Sequence, residues 1–320
     1  MEMFISLLAI VMGSVLLFVG SEWIINAAKT IAKKLNVSDL VIGLTVVAIG
    51  TSFPELVVGI ISAYEGHPGF VIGNVLGSNV ANIGLALGLP ALVYGIKFQF
   101  KHVRNIMLYN VLACLLLYLF ASVTFFGELA GEISRKESGA LLFVFTIFMI
   151  GSFLDKRTEV IPDYVVETSG NIVRALMKLV AGGASLYVGS QIFINYGAVP
   201  LVTYLGMSEQ VIGMTVVALG TSLPELFLTM VAIAKKEVAI SLGNIIGSNI
   251  FNIVFVLGIV GLVSPDIITF SNINAELFVG LGLSLLLIPA SKLGDGLSKF
   301  DGFVLLAIYS IFIMSQFMSW

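Results

Sequence analysis

Long runs of apolar residues, broken by short polar stretches, form the dominant pattern of the chain. A helix needs roughly 20 mostly apolar residues to cross a bilayer, and ten stretches meet that need. They lie near residues 4–27, 40–63, 70–95, 105–126, 139–154, 174–198, 209–234, 238–262, 274–290 and 301–319. The pattern predicts an all-α membrane protein with ten transmembrane helices. The most polar segment, which follows the fifth span, predicts a division into a first repeat (1–154), a linker (155–171) and a second repeat (172–320).

The two halves repeat each other in sequence. VIGLTVVAIGTSFPEL (41–56) and VIGMTVVALGTSLPEL (211–226) are identical at 13 of 16 positions. GNVLGSNVANIGLALGL (73–89) and GNIIGSNIFNIVFVLGI (243–259) are identical at 9 of 17 positions, with the same offset of 170 residues. Since five spans are an odd number, the second half must enter the membrane from the opposite side. Such inverted-topology repeats are typical of secondary transporters.

Composition narrows the class further. Hydrophobic residues make up 58% of the chain and charged residues only 11%, whereas a soluble domain carries roughly 25% charged residues. The single cysteine, Cys114, excludes a disulfide scaffold. With 16 Lys and Arg against 19 Asp and Glu, and no basic stripe, we expect no nucleic-acid partner.

The distribution of basic residues predicts the orientation. If the N-terminus lies outside, fourteen of the sixteen Lys and Arg residues fall in inside loops, and only Arg135 and Lys136 fall outside. The positive-inside rule therefore favours a multi-pass cell-membrane protein with both termini outside and a cytoplasmic linker. Met1 and Glu2 give no positive leader, so we interpret the first apolar stretch as a span.

Two acidic residues, Glu55 and Glu225, interrupt the middle of apolar spans at equivalent positions. A carboxylate at the bilayer centre costs at least roughly 2.5–3.5 kcal/mol on insertion scales. Mid-span positions hold no Lys, Arg or His to pair with them, since Arg174 and Lys178 lie at one end of the predicted span 174–198. A tolerated, protonated acid is the structural alternative, but intramembrane acids are functional by default.

A proline precedes each of these glutamates. Pro54 and Pro224 lack a backbone N–H and clash with the preceding turn, so each helix should open there. We expect carbonyls around 48–51 and 218–221 to lose their donors, which in a membrane requires protein, water or an ion nearby. A simple kink in a packed helix is the alternative.

The third and eighth spans carry complementary polar residues. Ser78 and Asn82 are four residues apart, as are Ser248 and Asn252. Carboxylates, amide oxygens, hydroxyls and carbonyls are hard ligands that suit Ca²⁺ or Na⁺, while Mg²⁺ prefers to keep its waters. No His, Cys or Met joins the cluster, which argues against zinc, copper and iron.

These motifs resemble the calcium/cation antiporter superfamily, specifically its sodium/calcium exchanger branch. GTSFPEL with GTSLPEL, and GNVLGSNVAN with GNIIGSNIFN, look like the two signature repeats of that family. The resemblance implies broken helices at the ion site and a set of ion-lining residues, with Ala48 and Ala218 acting through backbone oxygens. The implied set is Glu55, Glu225, Asn82, Asn252, Thr51, Thr221, Ser52, Ser222, Ser78, Ser248, Ala48 and Ala218.

The resemblance also implies that the first and sixth spans slide across the rest to alternate access. Glycines would give these two spans smooth faces. They are Gly13, Gly20, Gly182, Gly183 and Gly189.

One departure from the family pattern concerns Asn252. Some members of the family that this chain resembles, notably potassium-dependent ones, carry Asp at this position. Asn in both halves of this chain argues against potassium co-transport. The proton/calcium branch usually lacks the Thr-Ser-x-Pro step that precedes Glu55 and Glu225 here.

Charge predicts the mechanism. Two ionised glutamates give a site of charge −2, which cannot cross a dry closed state until cations cancel it. We predict a secondary active antiporter that exchanges Na⁺ for Ca²⁺ by alternating access. An H⁺/Ca²⁺ antiporter is the alternative and a passive cation channel a more distant one. We expect no enzymatic activity, no cofactor besides the transported ions Ca²⁺ and Na⁺, and no obligatory protein partner.

Overall fold

In a computed structural model, the described part of the protein comprises residues 2–65, 68–122, 132–154, 171–204, 218–265, 268–269 and 274–318. The all-α prediction is confirmed. Within these residues the helical segments are α1 (Glu2–Leu35), α2 (Asp39–Thr51 and Phe53–Tyr64), α3 (Pro68–Ala81, Asn82–Leu87 and Gly88–Tyr94), α4 (Phe100–Ser122), α5 (Arg135–Leu154), α6 (Ile172–Gln191, Ile192–Ala198 and Val199–Tyr204), α7 (Ala218–Thr221 and Leu223–Ala234), α8 (Val238–Phe251, Asn252–Val256 and Leu257–Val263), α9 (Asn274–Leu293) and α10 (Lys299–Met318).

Eight of these helices are long and apolar enough to cross a membrane, and the bent pair that forms α2 makes a ninth. The remaining predicted span, 209–234, begins outside the described residues, and its second part is the apolar helix Leu223–Ala234. The predicted linker lies outside the described residues except for Asn171, whose side chain caps α6 by accepting from the N–H of Val173.

The first helix is longer than the sequence predicted. Its predicted end was near residue 27, but α1 continues to Leu35. Ile31 and Ala32 are buried in this extension, so packing against the protein prolongs the helix beyond the lipid-facing part. Lys33 and Lys34 occupy its last turn, where positive side chains complement the helix dipole.

Within the described residues, four helices contain a π-helical turn, in which one extra residue is accommodated per turn. The turns are Gly43–Val47 in α2, Asn82–Leu87 in α3, Ile192–Ala198 in α6 and Asn252–Val256 in α8. Those of α3 and α8 begin at asparagines that occupy equivalent positions in the two repeats. Such turns rotate the following helix and are frequent at functional sites.

Helices α1 and α6 touch through glycines. A Cβ atom at Gly13 would lie 2.7 Å from the carbonyl oxygen of Gly189, and one at Gly20 would lie 2.8 Å from that of Gly182. Gly183 makes no such contact, because no described atom lies within 4 Å of its Cβ position. Four of the five expected glycines therefore form the close contact between α1 and α6.

The repeated glycines of α8 also allow a close helix approach. A Cβ atom at Gly243 would lie 2.5 Å from the carbonyl oxygen of Leu40, and one at Gly247 would lie 2.6 Å from that of Leu44. Helix α8 thus packs its backbone directly on α2. This contact places the polar residues of α8 beside the bend of α2.

Two short antiparallel ribbons join the halves. Strand β1 (Ile96–Lys97) pairs with β4 (Gly296–Leu297), and β2 (Glu132–Ile133) pairs with β3 (Ile268–Thr269). Each ribbon takes one strand from each half, and each joins loops that the charge distribution places on the same side of the membrane.

Candidate functional site

The bend of α2 positions the first glutamate. The two parts of α2 meet at 42° around Ser52, and Pro54 and Glu55 lie in the first turn of the second part. Pro54 removes the N–H that would otherwise reach the carbonyl of Gly50. The expected loss of donors does not extend to Ala48, whose carbonyl accepts from the N–H of Ser52 at 3.0 Å. The backbone opens over a shorter stretch than predicted, because proline removes only its own bond.

The side chains of Glu55 and Glu225 are both fully buried. Glu55 Oε1 accepts from the Ser78 hydroxyl at 3.4 Å. Glu225 Oε1 accepts from Ser52 at 3.2 Å and from Ser248 at 3.5 Å. Ser52, at the bend that carries Glu55, thus contacts the glutamate of the other repeat. The structure therefore brings the acids of the two repeats into one cluster inside the protein.

Hydroxyl groups from opposite halves meet around the carboxylates. Thr51 Oγ1 lies 3.3 Å from Ser248 Oγ, and Thr221 Oγ1 lies 3.4 Å from Ser78 Oγ. Thr51 Oγ1 also lies 3.0 Å from Asn244 Oδ1. Each predicted threonine thus contacts the predicted serine of the other repeat, so that α2 with α8, and α7 with α3, close the cluster.

The two asparagines that begin the π turns complete the cluster. Asn82 and Asn252 are fully buried. Asn82 Nδ2 donates to Asn249 Oδ1 at 3.0 Å, and Asn252 Nδ2 donates to Asn79 Oδ1 at 3.2 Å. Their amide groups are therefore held by the opposite repeat, through two residues outside the set predicted to line the site.

Four buried carboxylate and amide oxygens of the cluster have no hydrogen-bond partner among the described residues. They are Glu55 Oε2, Glu225 Oε2, Asn82 Oδ1 and Asn252 Oδ1. Leaving such atoms unpaired in an apolar interior is costly. A hard cation binds carboxylate and amide oxygens of this kind. Within the described residues, no group of three or more His, Cys, Asp and Glu side chains forms an alternative metal cluster.

Of the twelve residues predicted to line the site, hydrogen bonds connect eight to at least one other member, while Asn82 and Asn252 bond to residues outside the predicted set. Ser222 lies three residues before Glu225 and is buried, but its hydroxyl has no hydrogen-bond partner in the described part of the chain. Ala48 contributes its carbonyl to Thr51 Oγ1 at 3.3 Å. The side chain of Ala218 lies outside the described residues. Asn79 and Asn249 were missed as members of this network, although both belong to the repeated Gly-Ser-Asn step.

The sodium/calcium exchanger protein family matches residues 5–154 and 175–318 of this chain. The chain belongs to this family. The resemblance noted from the sequence motifs is thereby confirmed across both repeats. Membership makes the protein a membrane exchanger of cations, and the family is one of transporters.

Individual proteins of known name are also similar to this chain over nearly its full length. The sodium/calcium exchanger MaX1 of Methanosarcina acetivorans is 32% identical, covering 98% of this chain and 99% of its own. The putative antiporter CaxA of Alkalimonas amylolytica is 34% identical, covering 96% and 97%. The solved structure of the sodium-calcium exchanger NCX_Mj superimposes with a TM-score of 0.81 at 30% identity, covering 98% and 99%. The match extends over the whole length of each chain.

Proposed function

We propose that this exchanger-family protein exchanges Na⁺ for Ca²⁺ at a mid-membrane site centred on Glu55 and Glu225. The observation that carries the proposal is the set of four buried, unpaired oxygens contributed symmetrically by these glutamates and by Asn82 and Asn252. Hydroxyls of the predicted Thr and Ser residues supply further oxygens, so the cluster can approach the six to eight ligands that Ca²⁺ takes.

Charge explains why transport is coupled. With both glutamates ionised, the empty site carries two negative charges, and burying them in a closed carrier is prohibitive. One Ca²⁺ or two Na⁺ neutralise the site, and a third Na⁺ leaves one net positive charge. A loaded carrier can therefore turn over while an empty one cannot. If net charge crosses, each charge is worth roughly 2.3 kcal/mol per 100 mV.

Sodium is proposed over protons as the coupling ion for two reasons. The relatives named above include proteins named sodium/calcium exchangers. The Thr-Ser-x-Pro step is present in both repeats, with Thr51 contacting Ser248 and Ser52 donating to Glu225. An H⁺/Ca²⁺ antiporter remains the competing function, because a buried carboxylate can also carry a proton.

We further propose a cell-membrane location with both termini outside. Fourteen of the sixteen basic residues then lie in inside loops, as the positive-inside rule requires. The ion pair of Lys29 with Glu237, at 2.6 Å, joins two of these inside segments. The repeats would comprise residues 1–154 and 172–320, with 155–171 as a cytoplasmic linker.

Reconstitution into liposomes tests the proposal. Uptake of radiolabelled Ca²⁺ should follow an outward-directed Na⁺ gradient, and should not follow a K⁺ gradient or a pH gradient alone. Uptake driven by the pH gradient would favour the H⁺/Ca²⁺ antiporter instead. Flux that persists with no counter-ion would indicate a channel. Protein-free liposomes under the same gradients provide the background.

A further inference from the structure

Asn79 on α3 and Asn249 on α8 bond to each other's backbone where the two repeats meet. Asn79 Nδ2 donates to the carbonyl oxygen of Asn249 at 3.0 Å, and Asn249 Nδ2 donates to the carbonyl oxygen of Asn79 at 3.4 Å. Both residues are buried, with 3% and 1% of their surfaces exposed. The pair forms a reciprocal clasp between two equivalent helices.

The backbone carbonyl determines which way each clasp amide points. A carbonyl oxygen can only accept a hydrogen bond, so the NH₂ group of Asn79 must face Asn249. Asn79 Oδ1 is then turned to the other side, where it can only accept. It accepts from Asn252 Nδ2 at 3.2 Å. The amide of Asn252 is fixed in turn, and its own oxygen is left free.

Equivalent hydrogen bonds connect Asn249 to the site asparagine of the first repeat. The NH₂ group of Asn249 faces the carbonyl of Asn79, so Asn249 Oδ1 can only accept. It accepts from Asn82 Nδ2 at 3.0 Å, which leaves Asn82 Oδ1 free. Each clasp residue therefore orients the site asparagine of the other repeat.

We propose that Asn79 and Asn249 are positioning residues that hold the amides of Asn252 and Asn82 with oxygen, not NH₂, toward the transported cation. The inference rests on the proposed function, since it matters only if Asn82 and Asn252 bind the ion. An asparagine amide has nearly equal shape at its two ends, so packing alone does not choose between them. A hydrogen bond from its NH₂ group to a fixed acceptor does choose.

Ca²⁺ binding to purified Asn79→Leu protein tests the inference by isothermal titration calorimetry in sodium-free detergent. Loss of one orienting hydrogen bond should weaken binding about tenfold, because the Asn252 amide can then turn its NH₂ group to the ion. In an Asn252→Asp background, the same Asn79→Leu change should cost less than about twofold, since a carboxylate presents oxygen in either orientation.

The matched control is Asn79→Leu in an Asn82→Asp background, where the full tenfold loss should persist because Asn249, not Asn79, orients residue 82. A loss of equal size in the wild-type, Asn252→Asp and Asn82→Asp backgrounds would mean that Asn79 acts only through packing, and would overturn the inference while leaving the proposed function intact.

If Asn79→Leu does not fold, Asn79→Ser gives the same test, because its shorter side chain cannot bridge both partners. A wild-type protein that binds no Ca²⁺ would overturn the proposed function and this inference together.

Discussion

The two halves of the protein carry nearly the same motifs but are not in the same state. In the first half, Ser52 donates to the glutamate of the other repeat at 3.2 Å. Its counterpart Ser222 has no partner among the described residues. Helix α1 is an uninterrupted α-helix of 34 residues, whereas its counterpart α6 contains the π turn Ile192–Ala198.

This difference shows that the duplicated sequence and the conformation of the protein determine different features of the site. The motifs decide which side chains meet: carboxylates, hydroxyls and amides of the two repeats converge in one buried cluster. The conformation decides which of two equivalent bonds is made. In an inverted repeat, exchanging the conformations of the halves turns the site toward the other side of the membrane. We therefore expect Ser222 to donate to Glu55 when the protein faces the other way.

The largest effect is expected from neutralising the glutamate of either half, which tests whether transport needs both carboxylates. Glu55→Gln and Glu225→Gln should each reduce Na⁺-driven Ca²⁺ uptake in proteoliposomes by more than about a hundredfold, because each leaves the site with half its charge. Glu137→Gln is the matched control, since Glu137 is equally buried but accepts from the N–H of Ser134 at 2.8 Å, outside the site. Wild-type-like uptake in either site mutant would show that one half can act alone.

A smaller effect concerns the contact between α1 and α6. Gly20→Ala places a Cβ atom 2.8 Å from the carbonyl oxygen of Gly182, so the helices must separate. Overpacking of this kind costs about 1–3 kcal/mol, and the midpoint of thermal unfolding in detergent should fall accordingly. Gly183→Ala is the control, because no described atom lies near its Cβ position. Equal melting temperatures for both variants would contradict the tight contact.

The two serines give a direct measure of the asymmetry. Ser52→Ala removes a hydrogen bond to Glu225 and should weaken Ca²⁺ binding about fivefold, whereas Ser222→Ala should weaken it less than about twofold. Titration of Ca²⁺ into each variant measures the difference. If the two substitutions weaken binding equally, the serines serve both conformations alike and the asymmetry has no consequence for affinity.

The smallest effect is expected at the ion pair between α1 and the start of α8. Lys29 and Glu237 are 2.6 Å apart, with side chains 25% and 21% exposed. Because water and salt screen such a pair, Lys29→Gln should cost less than about 1 kcal/mol. The shift in melting temperature should shrink further in high salt. A large, salt-independent shift would indicate that the pair fixes the position of α1.

The sequence was sufficient for the helical membrane architecture and for the meeting of the halves, for physical reasons that particular residues illustrate. A stretch of about twenty apolar residues predicts a membrane-spanning helix. Burying Glu55 and Glu225 in such helices costs free energy, which indicates that both acids have a function. The shared offset of 170 residues then implied that both acids belong to one site. The clustering of the predicted Thr, Ser and Asn side chains follows from the same symmetry.

Other features depend on tertiary contacts that no local pattern reveals. The π turns at Asn82 and Asn252 add one residue to a helix whose apolar periodicity is otherwise unchanged. The clasp of Asn79 and Asn249 exists only because α3 and α8 approach closely. The predicted loss of donors was too wide at Ala48, because its bond to Ser52 survives beside the proline. The end of α1 was missed because burial of Ile31, and not hydrophobic length, prolongs the helix.

The two ribbons have an evolutionary consequence. In each, the strand that follows the third helix of one repeat pairs with the strand that precedes the fifth helix of the other. That reciprocity is the signature of an isologous, two-fold interface, in which one patch meets a second patch twice. A single-repeat ancestor that inserted into the membrane in both orientations would already have made both ribbons as a homodimer. Gene fusion would then have required only a connecting segment, with no new interface.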